Sequence, residues 1–212
     1  MTGALKSSTA GAALASASAG GSGSAAVQLA KWKGARVFAT AGTDEKVALC
    51  RELGADVAIN YSTEDFAEVV LRETGNRGVD VVFDNVGDAV WAASVKCTAY
   101  NGRYVMMGAA SDKTKVDEPF VVPRQVIAAN IKLCGALLAY ATPEIAAFVK
   151  QAVGYNFAPR ELGEQMMASI LELVRNGDVR PVIGSVVPFE ELPSAIEAMA
   201  KRQTTGRTIV MV

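Results

Sequence analysis

The glycine-rich run at residues 17–23, ASAGGSG, carries the strongest chemical signal in the sequence. It joins a stretch that resembles a strand to one that resembles a helix. In such a strand–turn–helix, glycines let the main chain approach a pyrophosphate, which the free N–H groups and the positive end of the helix dipole then bind. Gly20 and Gly21 would form the tight turn, and Gly23 would let the helix pack closely on the strand. Alone the pattern is a weak signal, because it continues a low-complexity tail.

The end of the next expected strand favours one type of dinucleotide. An NAD site usually places an Asp or Glu there to hold the ribose hydroxyls. This sequence has Thr40, Ala41 and Gly42 at that place, followed by Thr43 and then Lys46. A missing acid with a lysine nearby favours a 2′-phosphate, and therefore NADPH. The alternative is that Lys46 is a solvated helix residue.

Composition excludes several other chemistries. The chain has no histidine, which removes Ser-His-Asp and Cys-His nucleophiles and every His-containing zinc site. The cysteines, Cys50, Cys97 and Cys134, are too dispersed for a disulfide framework or a zinc cluster, so we expect no metal and a reducing, cytoplasmic setting. Ser18 and Ser22 lie outside any G-x-S-x-G motif, and only a Ser–Lys pair would remain for a serine hydrolase.

Charge and hydropathy exclude two partner classes. The formal net charge is −1 and no basic stripe stands out, so nothing indicates nucleic acid. No apolar run is long enough to span a bilayer, so no membrane partner is expected.

The elements that must position these residues alternate between strand-like and helix-like runs, which predicts an α/β fold with a doubly wound parallel sheet. Ser62 and Asp65 are expected to form a capping box. Thr142 and Pro143 are expected to start a helix whose buried face carries Ile145, Phe148, Val149 and Ala152, and a later helix is expected to bury Leu162, Met166, Ile170, Leu173 and Val174. Strands are predicted near residues 12–17, 35–40, 57–60, 79–84, 102–108 and 131–137, helices over 22–33 and 44–53, and a closing strand–helix–strand over 182–187, 190–201 and 208–212.

Several segments, taken in order, resemble one protein superfamily. They are AAVQLAK, GARVFATAGTDEK, CRELGADVAINY, GVDVVFDNVG and RPVIGSVVPFEELPSAIEAM. Together with the A-x-x-G-x-x-G turn of Ala17, Gly20 and Gly23, they resemble the medium-chain dehydrogenase/reductase superfamily. The branch with the most similar pattern is that of the zinc-independent quinone oxidoreductases and the enone or enoyl reductases.

The resemblance implies a Rossmann-type domain and a role for each matching residue. Gly21, Ser22 and Gly23 would lie under the pyrophosphate, and Thr43 and Lys46 would meet the 2′-phosphate. The remaining implied cofactor contacts are Tyr61 along the adenosine, Asn85 at a ribose, Gly108 and Ala109 on the nicotinamide side, and Leu137 and Leu138 beside the carboxamide. Alternatively, the glycines only allow the main chain to form a turn, and the leucines pack in the hydrophobic core.

Two departures from the family pattern affect these expectations. The expected first strand, with Ala13, Leu14 and Ala15, lacks the usual β-branched residues, and Ser22 replaces a common valine, so the strand and turn are expected to be less well formed. From this sequence we expect no counterpart of the family's N-terminal, GroES-like catalytic domain. The predicted organisation is a low-complexity tail at 1–11, a dinucleotide-binding domain at 12–179, and a C-terminal segment at 180–212 that packs on the catalytic domain in the family.

Two functions remain open. In the first, the protein transfers a hydride from NADPH to a small-molecule acceptor, a quinone or an activated C=C bond, with no general acid identified. In the second, the chain is a non-catalytic module that binds NADPH or serves in assembly. Whether the chain is an enzyme therefore stays uncertain. Apolar residues at 180–212 and an expected edge strand near 131–139 predict a homodimer.

Overall fold

A computed structural model describes residues 11–108 and 120–212 of the chain. It divides into two compact units. The first contains the chain up to Cys134 together with Pro181–Val212, and the second is Gly135–Arg180. This division groups the C-terminal segment with the main sheet, whereas the sequence analysis sets residues 180–212 apart.

The first unit is built around a six-stranded sheet. Its strands are β1 (Ala12–Ala15), β2 (Arg36–Ala41), β3 (Val57–Asn60), β4 (Val79–Asp84), β5 (Thr98–Met106) and β6 (Lys132–Gly135). They lie in the order β3-β2-β1-β4-β5-β6, and the pairs β1–β2, β2–β3, β1–β4 and β4–β5 are parallel. The strand order reverses direction beside β1, which is the topological switch point of a Rossmann-type fold, where ligands bind. The predicted α/β class is confirmed.

Helices connect successive strands of this sheet. They are α1 (Gly21–Trp32), α2 (Asp44–Glu52), α3 (Phe66–Glu73), α4 (Asp88–Lys96) and α5 (Pro123–Ala129). Side chains of β2 alternate between the two faces of the sheet, as the period of a strand requires. Phe38 joins a buried cluster with Leu14 and Tyr104, whereas Val37 joins a second cluster with Val27 of α1. Helices therefore cover both faces.

The alanine-rich first strand is better formed than its composition suggests. β1 pairs along its length with β2 and also with β4, and Leu14 and Ala15 are buried. β1 is a central strand, and both of its neighbouring strands contain β-branched residues. Small side chains fit this crowded position, and that fit matters more than the intrinsic strand propensity of the residues. The expectation of a poorly formed strand was therefore wrong, although the strand ends at Ala15 rather than Ala17.

The capping box predicted at the start of α3 was also wrong. Asp65 alone caps α3, its carboxylate accepting hydrogen bonds from the N–H groups of Ala67 (2.8 Å) and Glu68 (3.3 Å). The hydroxyl of Ser62 instead donates to the carbonyl of Gly42 at 2.9 Å. Ser62 therefore ties the end of β3 to the end of β2, and takes no part in a capping box.

The second unit contains β7 (Tyr140–Ala141), α6 (Pro143–Val153), β8 (Ala158–Pro159) and α7 (Arg160–Arg175). Its predicted buried faces are wrong, because neither α6 nor α7 contains a buried residue. Ile145 and Phe148 of α6 are exposed, as are Leu162, Met166 and Ile170 of α7. Two helices and a two-residue strand pair offer too little chain within the unit to cover both apolar faces.

The C-terminal segment returns to the first unit. It comprises β9 (Ile183–Pro188), a 3-10 helix (Phe189–Glu191), α8 (Leu192–Ala200) and β10 (Arg207–Met211). β9 and β10 pair in parallel with each other. The described residues include no helix with the length and apolar character needed to cross a membrane.

Candidate functional site

The predicted glycine turn follows β1 and is fixed to both neighbouring strands. The N–H of Ser16 donates to the carbonyl of Phe83 in β4 (3.0 Å), and the N–H of Ser18 donates to that of Thr40 in β2 (2.9 Å). The turn itself is closed by the Gly20 N–H, which donates to the Ala17 carbonyl at 3.2 Å. Ala17 adopts a left-handed φ of 51°, a conformation that a residue other than glycine seldom adopts. The turn is therefore held in one shape.

Gly23 lies where the start of α1 crosses this turn. A methyl group added to Gly23 would lie 2.7 Å from the Cα of Ser18 and 2.8 Å from the carbonyl carbon of Ala17. Both neighbours are main-chain atoms, which cannot move aside as a flexible side chain can. The close packing predicted for this glycine is confirmed.

The N-terminus of α1 carries no charge or side chain that would satisfy its own N–H groups. Gly20 is the N-cap residue, no side chain caps the helix, and its first turn holds no acidic residue. The first N–H groups of a helix have no carbonyl partner within it, and the dipole makes this end positive. The turn therefore offers N–H donors and a positive potential that suit an anion such as a pyrophosphate.

The ends of β2 and β3 bring the predicted adenosine-side residues together. Thr43 caps α2, because its hydroxyl accepts from the N–H of Lys46 at 3.3 Å. The hydroxyl of Tyr61 lies against Gly42, since a methyl there would be 2.6 Å from that oxygen. One corner of the candidate site, next to the acid-free end of β2, is thus surrounded by Thr43, Lys46 and Tyr61.

Lys46 also contacts the C-terminal segment. Its Nζ donates a hydrogen bond of 2.6 Å to the carbonyl of Arg202, in the turn that leads from α8 into β10. That contact spans 156 positions of sequence. No local pattern could have predicted it, so the C-terminal turn was not predicted as part of this corner.

Asn85 and Gly108 form another part of the site, beyond the ends of β4 and β5. A methyl group on Gly108 would lie 2.6 Å from Oδ1 of Asn85. Asn85, predicted at a ribose, and Gly108, predicted on the nicotinamide side, therefore lie next to each other. Ala109 lies outside the described residues. Leu137 and Leu138 belong to the second unit, where both are exposed.

Asp84, which precedes Asn85, is a buried carboxyl group that the sequence analysis did not single out. Its Oδ1 accepts from the N–H groups of Val86 (2.7 Å) and Gly87 (3.1 Å), and its Oδ2 accepts from the hydroxyl of Tyr104 (2.7 Å). Burial raises the pKa of this carboxyl above its usual value, although these three donors oppose the rise. The carboxyl therefore fixes the loop that presents Asn85.

The buried cysteines are poor nucleophiles. Burial raises the pKa of Cys50 to about 11 and that of Cys97 to about 12. Since the thiolate is the reactive form, both side chains stay protonated and unreactive at neutral pH. The interpretation of Cys50 as a core residue is confirmed, because it is fully buried.

Metal ligation finds no support in the described part of the chain. No group of three or more His, Cys, Asp or Glu residues among residues 11–108 and 120–212 lies close enough together to hold a metal ion. The absence of zinc from the protein stays a prediction.

The chain matches a family model described as zinc-binding dehydrogenase over residues 21–154. It is 31% identical to 2-haloacrylate reductase of Burkholderia sp, covering 92% of this chain and 54% of that protein. It is 32% identical to prostaglandin reductase 1 of Mus musculus, covering 92% of this chain and 55% of that protein.

Solved structures show the same similarity. A mycobacterial protein in complex with NADPH superposes with a TM-score of 0.76 at 27% identity, over 95% of this chain and 56% of that one. A quinone oxidoreductase of Pseudomonas syringae pv. Tomato superposes with a TM-score of 0.73 at 28% identity, over 95% and 57%. The chain thus spans about half the length of these proteins.

Proposed function

Since the chain belongs to the zinc-binding dehydrogenase family of the medium-chain dehydrogenase/reductase superfamily, we propose that it binds NADPH at the glycine turn. We further propose that it is the cofactor-binding part of an oxidoreductase that reduces a quinone or an activated carbon–carbon double bond. In the family that the chain resembles, the N-terminal, GroES-like domain supplies most substrate contacts.

The observation that carries the proposal is the glycine turn at the switch point of the sheet. Gly23 lets α1 approach the turn, and Gly20 and Gly21 place no side chain of their own over the first N–H groups of the helix. The absence of an acid at the end of β2, with Lys46 beside it, supports NADPH over NADH. The NADPH complex of the mycobacterial relative agrees with this choice.

Each part of the site has a separate task in this proposal. NADPH, when bound, supplies the hydride. The N–H groups at the start of α1 bind the pyrophosphate, and Lys46 and Thr43 bind the 2′-phosphate, while Tyr61 lies along the adenosine. Asn85 and Gly108 orient the nicotinamide half, held in place by the buried Asp84. No residue is assigned as a general acid.

Replacing Lys46 by alanine tests the cofactor choice. A partly exposed ion pair to the 2′-phosphate contributes about 1–2 kcal/mol, so we expect NADPH binding to weaken by roughly 5- to 30-fold. NADH binding should change little, because NADH lacks that phosphate. Titration of both cofactors into wild type and variant measures this. A wild type that prefers NADH, or a preference that survives the substitution, contradicts the assignment.

A turnover measurement distinguishes an active oxidoreductase from a non-catalytic module that only binds NADPH. If the described chain is catalytically sufficient, NADPH oxidation will accelerate when a panel of quinones and enones is added. If it is only the cofactor-binding part, the chain will bind NADPH without oxidising it, and turnover will require a catalytic domain of the kind found in the family. A panel assay run beside a binding titration distinguishes the two, and absence of binding contradicts both.

We also propose that the chain forms a homodimer. The C-terminal segment exposes Val186, Ile196, Met199, Ile209 and Met211, and soluble proteins rarely expose so much apolar surface. β6 is an edge strand, as expected, so its free edge is able to pair with a second copy around a two-fold axis. Light scattering over a concentration series should report a dimer at micromolar concentration. A monodisperse monomer that binds no hydrophobic dye contradicts this proposal.

A further inference from the structure

The first turn of α2 places an acid beside the proposed 2′-phosphate site. Thr43 is the N-cap of α2, and the helix begins with Asp44, shortly before Lys46. A carboxylate repels a phosphate at short range, whereas it accepts a hydrogen bond from the free ribose 2′-hydroxyl of NADH. An unrestrained Asp44 would therefore oppose the preference for NADPH that Lys46 and the acid-free end of β2 favour.

The side-chain amide of Asn60 holds this carboxylate. Asn60 is the last residue of β3 and is buried, with 8% of its surface exposed. Its Nδ2 donates a hydrogen bond of 2.8 Å to Oδ1 of Asp44, and its Oδ1 accepts one of 3.0 Å from the N–H of Ser62. Reversing the amide would place its oxygen against the carboxylate and its NH2 group against an N–H, so the two contacts together fix its orientation.

The carboxylate of Asp44 is thereby kept from the cation that would bind the phosphate. Within the part of the chain that the structure describes, Asp44 forms no ion pair with Lys46. The ammonium of Lys46 donates instead to the carbonyl of Arg202, an acceptor without a formal charge. The positive charge of Lys46 is therefore not paired with the nearby acid and is available to a phosphate.

We propose that Asn60 helps to determine the choice of cofactor by holding the Asp44 carboxylate at the end of β3, away from the 2′-phosphate of NADPH. Asn60 is a positioning residue, because it acts through Asp44. The inference rests on the proposed function, since it concerns the choice between NADPH and NADH at the same site. It adds a second determinant of that choice, because Lys46 attracts the phosphate and Asn60 restrains a charge that repels it.

Binding titrations of wild type and Asn60→Ala with NADPH and with NADH test the proposal. The quantity to compare is the preference for NADPH, expressed as the ratio of the two dissociation constants. Without the amide, the Asp44 carboxylate is free to approach the 2′-position, so this preference should fall by roughly fivefold. A purely structural role of Asn60 would weaken the binding of both cofactors alike and would leave the ratio unchanged.

The same substitution in an Asp44→Asn background is the control. Asp44→Asn removes the carboxylate, and by itself it should not lower the preference for NADPH. In that background Asn60→Ala should leave the preference unchanged to within about twofold, because no charge remains for the amide to restrain. An effect of Asn60→Ala that persists without the carboxylate would show that Asn60 acts by another route, and would overturn the proposal.

A second pair of variants leaves the buried Asn60 in place. Asp44→Glu keeps the charge but lengthens the side chain, so the carboxylate no longer fits the bond to Asn60 and the preference for NADPH should again fall. Asp44→Gln has the same length without the charge and should not lower the preference. Asp44 is exposed, so both variants should fold, which thermal unfolding of each variant checks.

The outcomes separate this inference from the proposed function. An unchanged preference in Asp44→Glu, or in a folded Asn60→Ala, overturns the inference and leaves the proposed function standing. An equal fall in Asp44→Glu and Asp44→Gln also overturns it, since the charge would then have no part in the effect. Failure of the wild-type chain to bind either cofactor overturns the proposed function and this inference together.

Discussion

Gly23→Ala is expected to destabilise the protein and to abolish most of its NADPH binding. The added methyl group would overlap main-chain atoms of Ala17 and Ser18, so α1 must move away from the turn. Overpacking of this kind costs about 1–3 kcal/mol of unfolding free energy. The displaced helix end would also misplace its N–H groups, and we expect affinity for NADPH to fall by at least roughly tenfold. Denaturant unfolding and cofactor titration measure the two effects.

Gly20→Ala is the matched stability control within the same turn. Its added methyl group would have the Ala17 carbonyl oxygen as its nearest neighbour, at 3.5 Å, which is an ordinary contact. Its φ of −81° is also accessible to alanine. The unfolding free energy should therefore change by less than about 1 kcal/mol. Equal destabilisation of the two variants would show that the close approach at Gly23 does not determine the shape of the turn.

Tyr104→Phe is expected to destabilise the protein by about 1–3 kcal/mol, because the buried carboxyl of Asp84 loses one of its donors. Tyr104 is fully buried, and the loop that carries Asn85 depends on the same carboxyl. Tyr100→Phe is the matched control on the same strand. Tyr100 is 82% exposed, so the loss of its hydroxyl should leave the unfolding free energy unchanged. Unfolding free energies of the two variants make the comparison.

The cost of Tyr104→Phe should also depend on pH. Burial raises the pKa of Asp84 in the folded protein, so its contribution to stability is complete below the unfolded pKa of about 4 and is lost as the pH rises through the folded pKa. Removing the tyrosine donor raises that pKa further. The destabilisation should therefore be larger at about pH 7 than at about pH 4. A cost that is independent of pH would show that the carboxyl does not become charged in this range.

Local sequence patterns predicted the parts of the fold that local chemistry determines. The glycine turn, the acid-free end of β2 and the span of α2 each depend on a few neighbouring residues. α4 and α5 were not predicted. α4 follows Gly87, which has a φ of 88°, and α5 follows Val122 and has Pro123 in its first turn. Both helices pack against β5.

Long-range packing accounts for the other differences. The alanines of β1 are poor strand formers, yet pairing with β2 and β4 overrides that preference. The contact of Lys46 with Arg202 and that of Gly21 with Arg207 join residues that are far apart in sequence. A pattern read along the chain contains no information about such contacts. The glycine turn was therefore predicted from sequence, whereas its contacts with the C-terminal segment were found only in the structure.

Hydrogen–deuterium exchange of the full chain, with and without saturating NADPH, tests the binding of the cofactor at the glycine turn most directly. Amides of residues 17–24 and 42–46 should become protected on binding, and those of 84–87 should follow to a smaller extent, because the phosphates engage the first two segments directly. NADH at equal saturation should protect 17–24 and have a smaller effect on 42–46. Unchanged exchange at 17–24, or protection confined to the second unit, Gly135–Arg180, would contradict the assignment of this turn as the cofactor site.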